Sequence, residues 1–307
     1  MRVAVVGIGG VGGYYGGKLA SSFPPGSEHE IVFVCRGPHL DAIRSGGLRL
    51  YTRDGELVAH PAIATDRPTD LGVVDVAIFA VKGYSLAEVA RTMRPAAGPG
   101  TVIIPLGNGV DNDATLGREL ITGRVLNGLA YISSHIEAPG VVRQTGGSLK
   151  IVFGSPGGET EPYRAIAEIF KSAGIDAELS GHILRDVWTK FIFIDPISGV
   201  TSLHGATMGA VLGTDALRQQ LVDLMSEVEA IAAGLGVGFP ADVVDQAVAR
   251  VAAFPPDTKT SMQLDVEKGA RTEIEALLGY VVRAGRELAI PTPRHLEVYD
   301  ALKRGAP

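Results

Sequence analysis

The stretch VAVVGIGGVGG, residues 3–13, spaces its glycines as a nucleotide-binding loop would. The apolar run Val3 to Val6 leads into Gly7, Gly9 and Gly12, the pattern G-x-G-x-x-G. Gly7 permits a tight turn, Gly9 lets backbone approach a pyrophosphate, and Gly12 lets a helix pack close to the strand before it. A helix that opens there aims its unpaired N–H groups and its positive dipole end at phosphate oxygens. The run Gly7, Ile8, Gly9, Gly10, Val11 and Gly12 is therefore the expected cofactor-binding loop. The next apolar run, EIVFVCR, ends in Arg36. An acidic residue there would hold the ribose 2′-hydroxyl of NAD, whereas a cation suits a 2′-phosphate, so NADP(H) is the expected cofactor. Lys82 follows VDVAIFAV and Asn108 follows TVIIPL. Both stand just past apolar runs and are expected to contact cofactor or substrate.

That chemistry requires the apolar runs to be strands whose C-terminal ends share one edge. The segments between them supply the helices. PHLDAIRSG follows Arg36, a pair of short strands lies around GLRLYTRDGELVAHPAIA, and Ser85 with Glu88 reads as a capping box opening a helix. Residues 124–179 are expected to add further strands and one helix, TEPYRAIAEIFKSAG, completing the sheet. Strands alternating with helices predict an α/β fold, a Rossmann-type doubly wound sheet. From about residue 181 strand signals vanish. Leu217, Leu221, Leu224, Val228 and Ile231 recur at helical spacing and end near Gly234 and Gly236. Thr272 and Glu275 read as a second capping box, followed by an apolar face of Ile274, Leu277, Leu278, Val281 and Val282. The expected division is a dinucleotide-binding domain over 1–180 and an all-α substrate and dimerisation domain over 181–307.

Composition narrows the function class. The chain has 307 residues, 46% of them hydrophobic and 20% charged, enough to bury a full core. Its net charge of −6 lacks the basic surplus of a nucleic-acid binder. The lone cysteine, Cys35, reads as a buried structural thiol and suits a reducing compartment. No apolar run approaches the ~18 residues that span a bilayer, and the first residues lack the pattern of a signal peptide. A cytoplasmic location is expected, without a membrane or nucleic-acid partner. The seven histidines show no metal-ligand spacing, so no metal is expected.

In the helical half, VWTKFIFIDPISGVTSLHG, KTSMQLD and RTEIEALLGY set polar residues among apolar ones. With these the chain resembles the ketopantoate reductase family (2-dehydropantoate 2-reductases) over nearly its whole length. The resemblance runs through the glycine loop with YYGGKLA, Arg36 with GPHLDAIRSGGL, AVKGYS with Lys82, LGNGVDN with Asn108, WTKF with Lys190, TSMQLD with Ser261, and RTEIE with Glu273. It implies that a nicotinamide delivers hydride to the carbonyl carbon of a 2-keto acid, ketopantoate yielding pantoate for coenzyme A biosynthesis. It further implies that Lys190 acts as general acid, an assignment that the apolar surroundings WTKFIFI suit because burial brings a lysine pKa toward neutrality. Glu273 would orient the substrate or the lysine, Ser261 would touch substrate or else cap the helix beginning at Met262, and Asn108 would face both nicotinamide and substrate. A homodimer is the implied assembly.

The resemblance fails at two places. The family pattern has substrate-contacting asparagines four and eight residues after the lysine, where this chain has Ile194 and Ser198. Replacing an amide by an apolar side chain changes which polar groups a substrate can carry, since an unpaired buried group costs ~1–3 kcal/mol. The readings left open are ketopantoate, another 2-keto acid, and a catalytically silent NADP(H)-binding protein. Retention of Lys190 and Glu273 argues against the silent one.

Overall fold

Apolar runs alternating with helical segments fold into a parallel sheet in the computed structural model, which describes residues 1–305. The chain separates into two units, Met1–Gly107 with Asp111–Ile183, and Asn108–Val110 with the chain from Leu184 onward. In the first unit, β1 (Arg2–Val6) precedes α1 (Gly10–Ser22), β2 (Glu30–Val34), α2 (Gly37–Gly46), β3 (Leu48–Thr52), β4 (Gly55–Ala59) and β5 (Ile63–Thr65). Then follow β6 (Val76–Phe79), α3 (Gly83–Met93), β7 (Val102–Pro105), α4 (Asn112–Leu120) and β8 (Arg124–Val125). Six strands pair in the order β5-β2-β1-β6-β7-β8, every pair parallel. Chain direction across the sheet reverses between β1 and β6, the switch point where open α/β sheets bind ligands. The register sets Val34, Val6, Phe79 and Pro105 side by side, so the segments after β2, β1, β6 and β7 leave from one edge.

The unbroken apolar character of these strands has a direct cause: both faces of the sheet are covered. Val3, Val5, Ile31 and Phe33 pack with Tyr14, Tyr15 and Leu19 of α1. Ala4, Val6, Val32 and Val34 point the other way, into a core with Leu86 and Ala90 of α3 and Leu116 and Leu120 of α4. Cys35 lies just past β2 and is half-buried; burial pushes its thiol up to about 12, which keeps it protonated and unreactive.

Residues 124–179 do not simply complete that sheet. They form β9 (Asn127–Ala130), β10 (Ser133–Ala138), β11 (Val141–Gly146), β12 (Ile151–Gly154), α5 (Arg164–Ser172) and β13 (Ala177–Leu179). Only β8 joins the six strands; β10 and β11 extend the β3–β4 hairpin, and β13, β12 and β9 make a third sheet. Apolar content reveals that a strand is buried, not which partner it pairs with. The Ser85–Glu88 capping box is also absent as such. The helix already begins at Gly83 with Lys82 at its N-cap, and the Ser85 N–H donates to the Lys82 carbonyl.

The second unit is helical: α6 (Ile183–His204, whose first residue falls in the first unit), α7 (Met208–Gly213), α8 (Asp215–Gly234), α9 (Val243–Ala252), α10 (Ser261–Glu267), α11 (Leu278–Leu288) and α12 (Pro293–Gly305). The middle of α6 is buried on nearly every side, as a helix apolar all round must be. Leu221, Leu224, Val228 and Ile231 of α8 join its core. Thr272 and Glu275 do not open a helix. Residues 274–277 form turns, in which Ala276 and Leu277 donate to the Glu273 carbonyl, and α11 begins only at Leu278. Glu275 instead accepts from Tyr299 and Lys303. Among the described residues no helix is long and apolar enough to cross a membrane.

Candidate active site

The first unit carries a cradle suited to phosphate. Gly7 leaves β1 at φ +90° and its N–H donates to the Val34 carbonyl at 2.8 Å, turning the chain at the sheet edge. A Cβ on Gly12 would lie 1.9 Å from the Gly7 carbonyl oxygen, and one on Gly10 2.1 Å from that of Ser134. A Cβ on Gly9 would meet nothing within 4 Å. Two of the glycines therefore let protein meet protein, while Gly9 borders open space. No side chain caps α1 and its first turn holds no acidic residue, so its leading N–H groups and dipole are available to an anion. The Ile8 side chain is buried in the core and that of Val11 packs against it. At those positions only backbone can serve a ligand.

Arg36 is exposed at the N-cap of α2, whose first turn also lacks acidic residues. It stands two residues beyond β2, on the edge from which the Gly7 loop departs. Both features fit the 2′-phosphate of NADP(H). Lys82, half-buried, leaves the same edge after β6. Arg36→Ala is expected to weaken NADPH binding on the order of tenfold, the loss of one charge-assisted hydrogen bond, with NADH binding nearly unchanged. Titrating both cofactors against both proteins checks it, and equal losses would show that Arg36 does not meet the 2′-phosphate.

The second unit gathers Lys190, Asn108 and Glu273. Lys190 sits near the start of α6 and its Nζ donates to Asn108 Oδ1 at 2.9 Å. Burial of its ammonium end pulls the pKa down to about 8, against the attraction of Glu273, which pulls it up. Glu273 is itself buried. Trp188, Phe191 and Tyr280 pack edge-to-face around this part of α6 and help exclude water. A lysine held there retains its proton at neutral pH yet yields it readily.

The remaining expected residues fall less neatly. Ser261 is exposed at the first position of α10, and it is not the cap: the Thr260 hydroxyl accepts from the Gln263 N–H at 3.2 Å. Ile194, one turn beyond Lys190, is half-buried against the helical core, whereas Ser198 is buried. Asn108 belongs with the helical unit together with Gly109 and Val110, although it follows a strand of the other. Composition had not signalled Asp195, His295 and Glu227, three ionisable groups brought together inside the helical unit. The only hint was an aspartate standing within the apolar run FIFIDPI.

Comparison with known proteins adds to this geometry. Residues 3–158 match the family model described as ketopantoate reductase PanE/ApbA, and residues 182–306 match its C-terminal counterpart. An uncharacterized oxidoreductase, YkpB of Bacillus subtilis, is 31% identical over 99% of this chain and 100% of its own length. The 2-dehydropantoate 2-reductase of Mesorhizobium japonicum is 31% identical over 95% of this chain and 94% of its own. A crystal structure of a PanE/ApbA family ketopantoate reductase from Ralstonia eutropha superposes with a TM-score of 0.90 at 30% identity, covering 100% of this chain and 98% of that one.

Proposed function

Since the chain belongs to the ketopantoate reductase family and is an NADP-dependent oxidoreductase, we propose that it reduces a 2-keto acid to the 2-hydroxy acid, with 2-dehydropantoate the first substrate to test. The carrying observation is Lys190, with a pKa near 8 and its Nζ held 2.9 Å from Asn108 Oδ1. Held through its phosphates by residues 7–12 and Arg36, a nicotinamide cofactor would supply the hydride that the carbonyl carbon receives. Charge then develops on the carbonyl oxygen, and Lys190 gives that oxygen a proton as its own N–H bond breaks. The neutral amine is reprotonated from solvent. Asn108 fixes the direction of the ammonium, and Glu273 favours its charged form. We assign the backbone of residues 7–12 to the pyrophosphate, Arg36 to the 2′-phosphate, and Lys82 and Asn108 to further cofactor contacts. Ser261 and Glu273 are assigned to substrate. Family membership supports a cytoplasmic homodimer serving pantothenate biosynthesis. NADPH oxidation followed against a panel of 2-keto acids tests the reaction, and a panel without turnover would leave only a cofactor-binding protein.

Ile194 favours a second reading, in which the preferred keto acid is less polar than ketopantoate. Positions i and i+4 share a helix face, so the side chain one turn past Lys190 is apolar where an amide would serve a hydroxyl. A site built to hydrogen-bond a substrate hydroxyl rejects analogues lacking it strongly, whereas an apolar wall discriminates weakly. Ile194→Asn combined with Ser198→Asn should therefore raise the ratio of kcat/KM for ketopantoate over a hydroxyl-free analogue. An unchanged ratio in a folded double variant would mean that these positions do not choose the substrate.

A further inference from the structure

Asp195, Glu227 and His295 take no part in that chemistry, yet they form the most enclosed ionisable group of the helical unit. Asp195 on α6 and His295 in the first turn of α12 have fully buried side chains, and Glu227 on α8 is 11% exposed. His295 Nε2 lies 2.8 Å from Asp195 Oδ2, and Nδ1 lies 2.6 Å from Glu227 Oε2. Glu227 also accepts the backbone N–H groups of Arg294 and His295 at 2.8 and 2.9 Å. It thereby caps the N-terminus of α12 from a neighbouring helix. Asp195 Oδ1 is buried without a partner among the described residues.

Each nitrogen–oxygen contact needs one hydrogen, and a neutral imidazole carries only one N–H. Both contacts together require two protons. Glu227, already serving two backbone donors, stays ionised and receives Nδ1–H. The second proton lies between Nε2 and Asp195. We propose that Asp195, His295 and Glu227 form a two-proton clasp that fastens α12 to α6 and α8, and that loss of one proton on the alkaline side opens it. Without that proton two lone pairs face each other in a dry interior, where an unmatched polar pair is costly.

The surrounding charges do not supply a substitute. Arg294 turns its guanidinium to Asp223 of α8 and Glu297 of α12. From α11, Arg283 goes to Glu275, which also holds Tyr299 and Lys303 further along α12, while Arg286 and Glu287 are exposed. The directions of titration agree with retention of the proton. Burial alone would lower the His295 pKa, but the charge and hydrogen bond of Asp195, with those of Glu227, raise it overall. Burial raises that of Asp195, against the pull of His295.

Above the ordinary histidine pKa of about 6.5 the unfolded chain has only one of the two protons. The folded state then holds one more, so stability falls as pH rises, by a factor of ten in the folding constant per unit. The window runs from about pH 6.5 to 8. His39, whose pKa burial lowers, and Lys190 reach into its two ends with the opposite sign, and Cys35 acts above it. Trp188 is the only tryptophan and lies on α6 with Asp195, so its fluorescence during urea unfolding of the full chain reports the helical unit. Measured against that of D195N, which keeps His39 and Lys190, the folding constant of the unaltered protein should fall about 30-fold across that window. In D195N the amide donates to the bare Nε2 while Nδ1–H still serves Glu227, and the constant should not fall. A flat profile in the unaltered protein would overturn the clasp. The same slope in D195N, or a D195N chain unfolded at pH 6.5, would overturn it equally.

Discussion

Lys190→Ala should lower turnover on the best 2-keto acid by roughly 10²–10⁴, the range that general acid catalysis contributes, with NADPH affinity nearly intact. The reason lies in where the lysine stands. Its Nζ is tied to Asn108 and its charge is moderated by burial, against Glu273. Alanine removes the proton source without touching the glycine loop. The same assignment fixes a pH dependence. Reduction needs the ammonium, so kcat should fall as pH rises through about 8, where Lys190 loses its proton. Stability moves the other way. A folded pKa near 8 lies below the free-lysine value of about 10.5, so the charged form costs folding free energy at neutral pH, and that cost disappears between the two values. A falling kcat, together with an unfolding midpoint that rises with pH relative to the variant's, would identify this one group. A variant that turns over like the unaltered chain would remove Lys190 from the chemistry.

How much of this could be read from residues alone follows from the kind of force involved. The glycine loop was legible because each glycine answers a steric demand visible in spacing. Lys82 and Arg36 were legible as positions, being tied by register to strand ends. The capping boxes at Ser85 and Thr272 misled because a four-residue pattern carries little energy beside packing: Leu278, Val281 and Val282 are buried, and the α11 boundary followed the core. The distribution of β8 to β13 among three sheets depends on long-range pairing, which composition does not encode. His295 and Asp195 are 100 residues apart. No local pattern announces such a contact.

Gly9→Ala and Gly12→Ala should fail in different ways, and the difference tests what the loop is for. Gly9 has φ −85° and ψ −154°, extended backbone open to alanine, and its added Cβ would find nothing within 4 Å. The fold should therefore tolerate the methyl group, with a thermal midpoint close to that of the unaltered chain. The same methyl occupies the space that a pyrophosphate must enter to reach the N–H groups of α1. Losing one charge-assisted hydrogen bond costs about 1.5–3 kcal/mol, so NADPH affinity should drop roughly 10–100-fold. In Gly12→Ala the Cβ would sit 1.9 Å from the Gly7 carbonyl oxygen. Backbone cannot yield there without moving α1 off the sheet, and overpacking of this kind costs about 1–3 kcal/mol. That variant should unfold at lower temperature whether or not nucleotide is present. Calorimetry in the absence of ligand, paired with NADPH titration, separates the two. If Gly9→Ala kept full affinity, the open space beside Gly9 would not be the phosphate site, and the loop would be a structural turn after all.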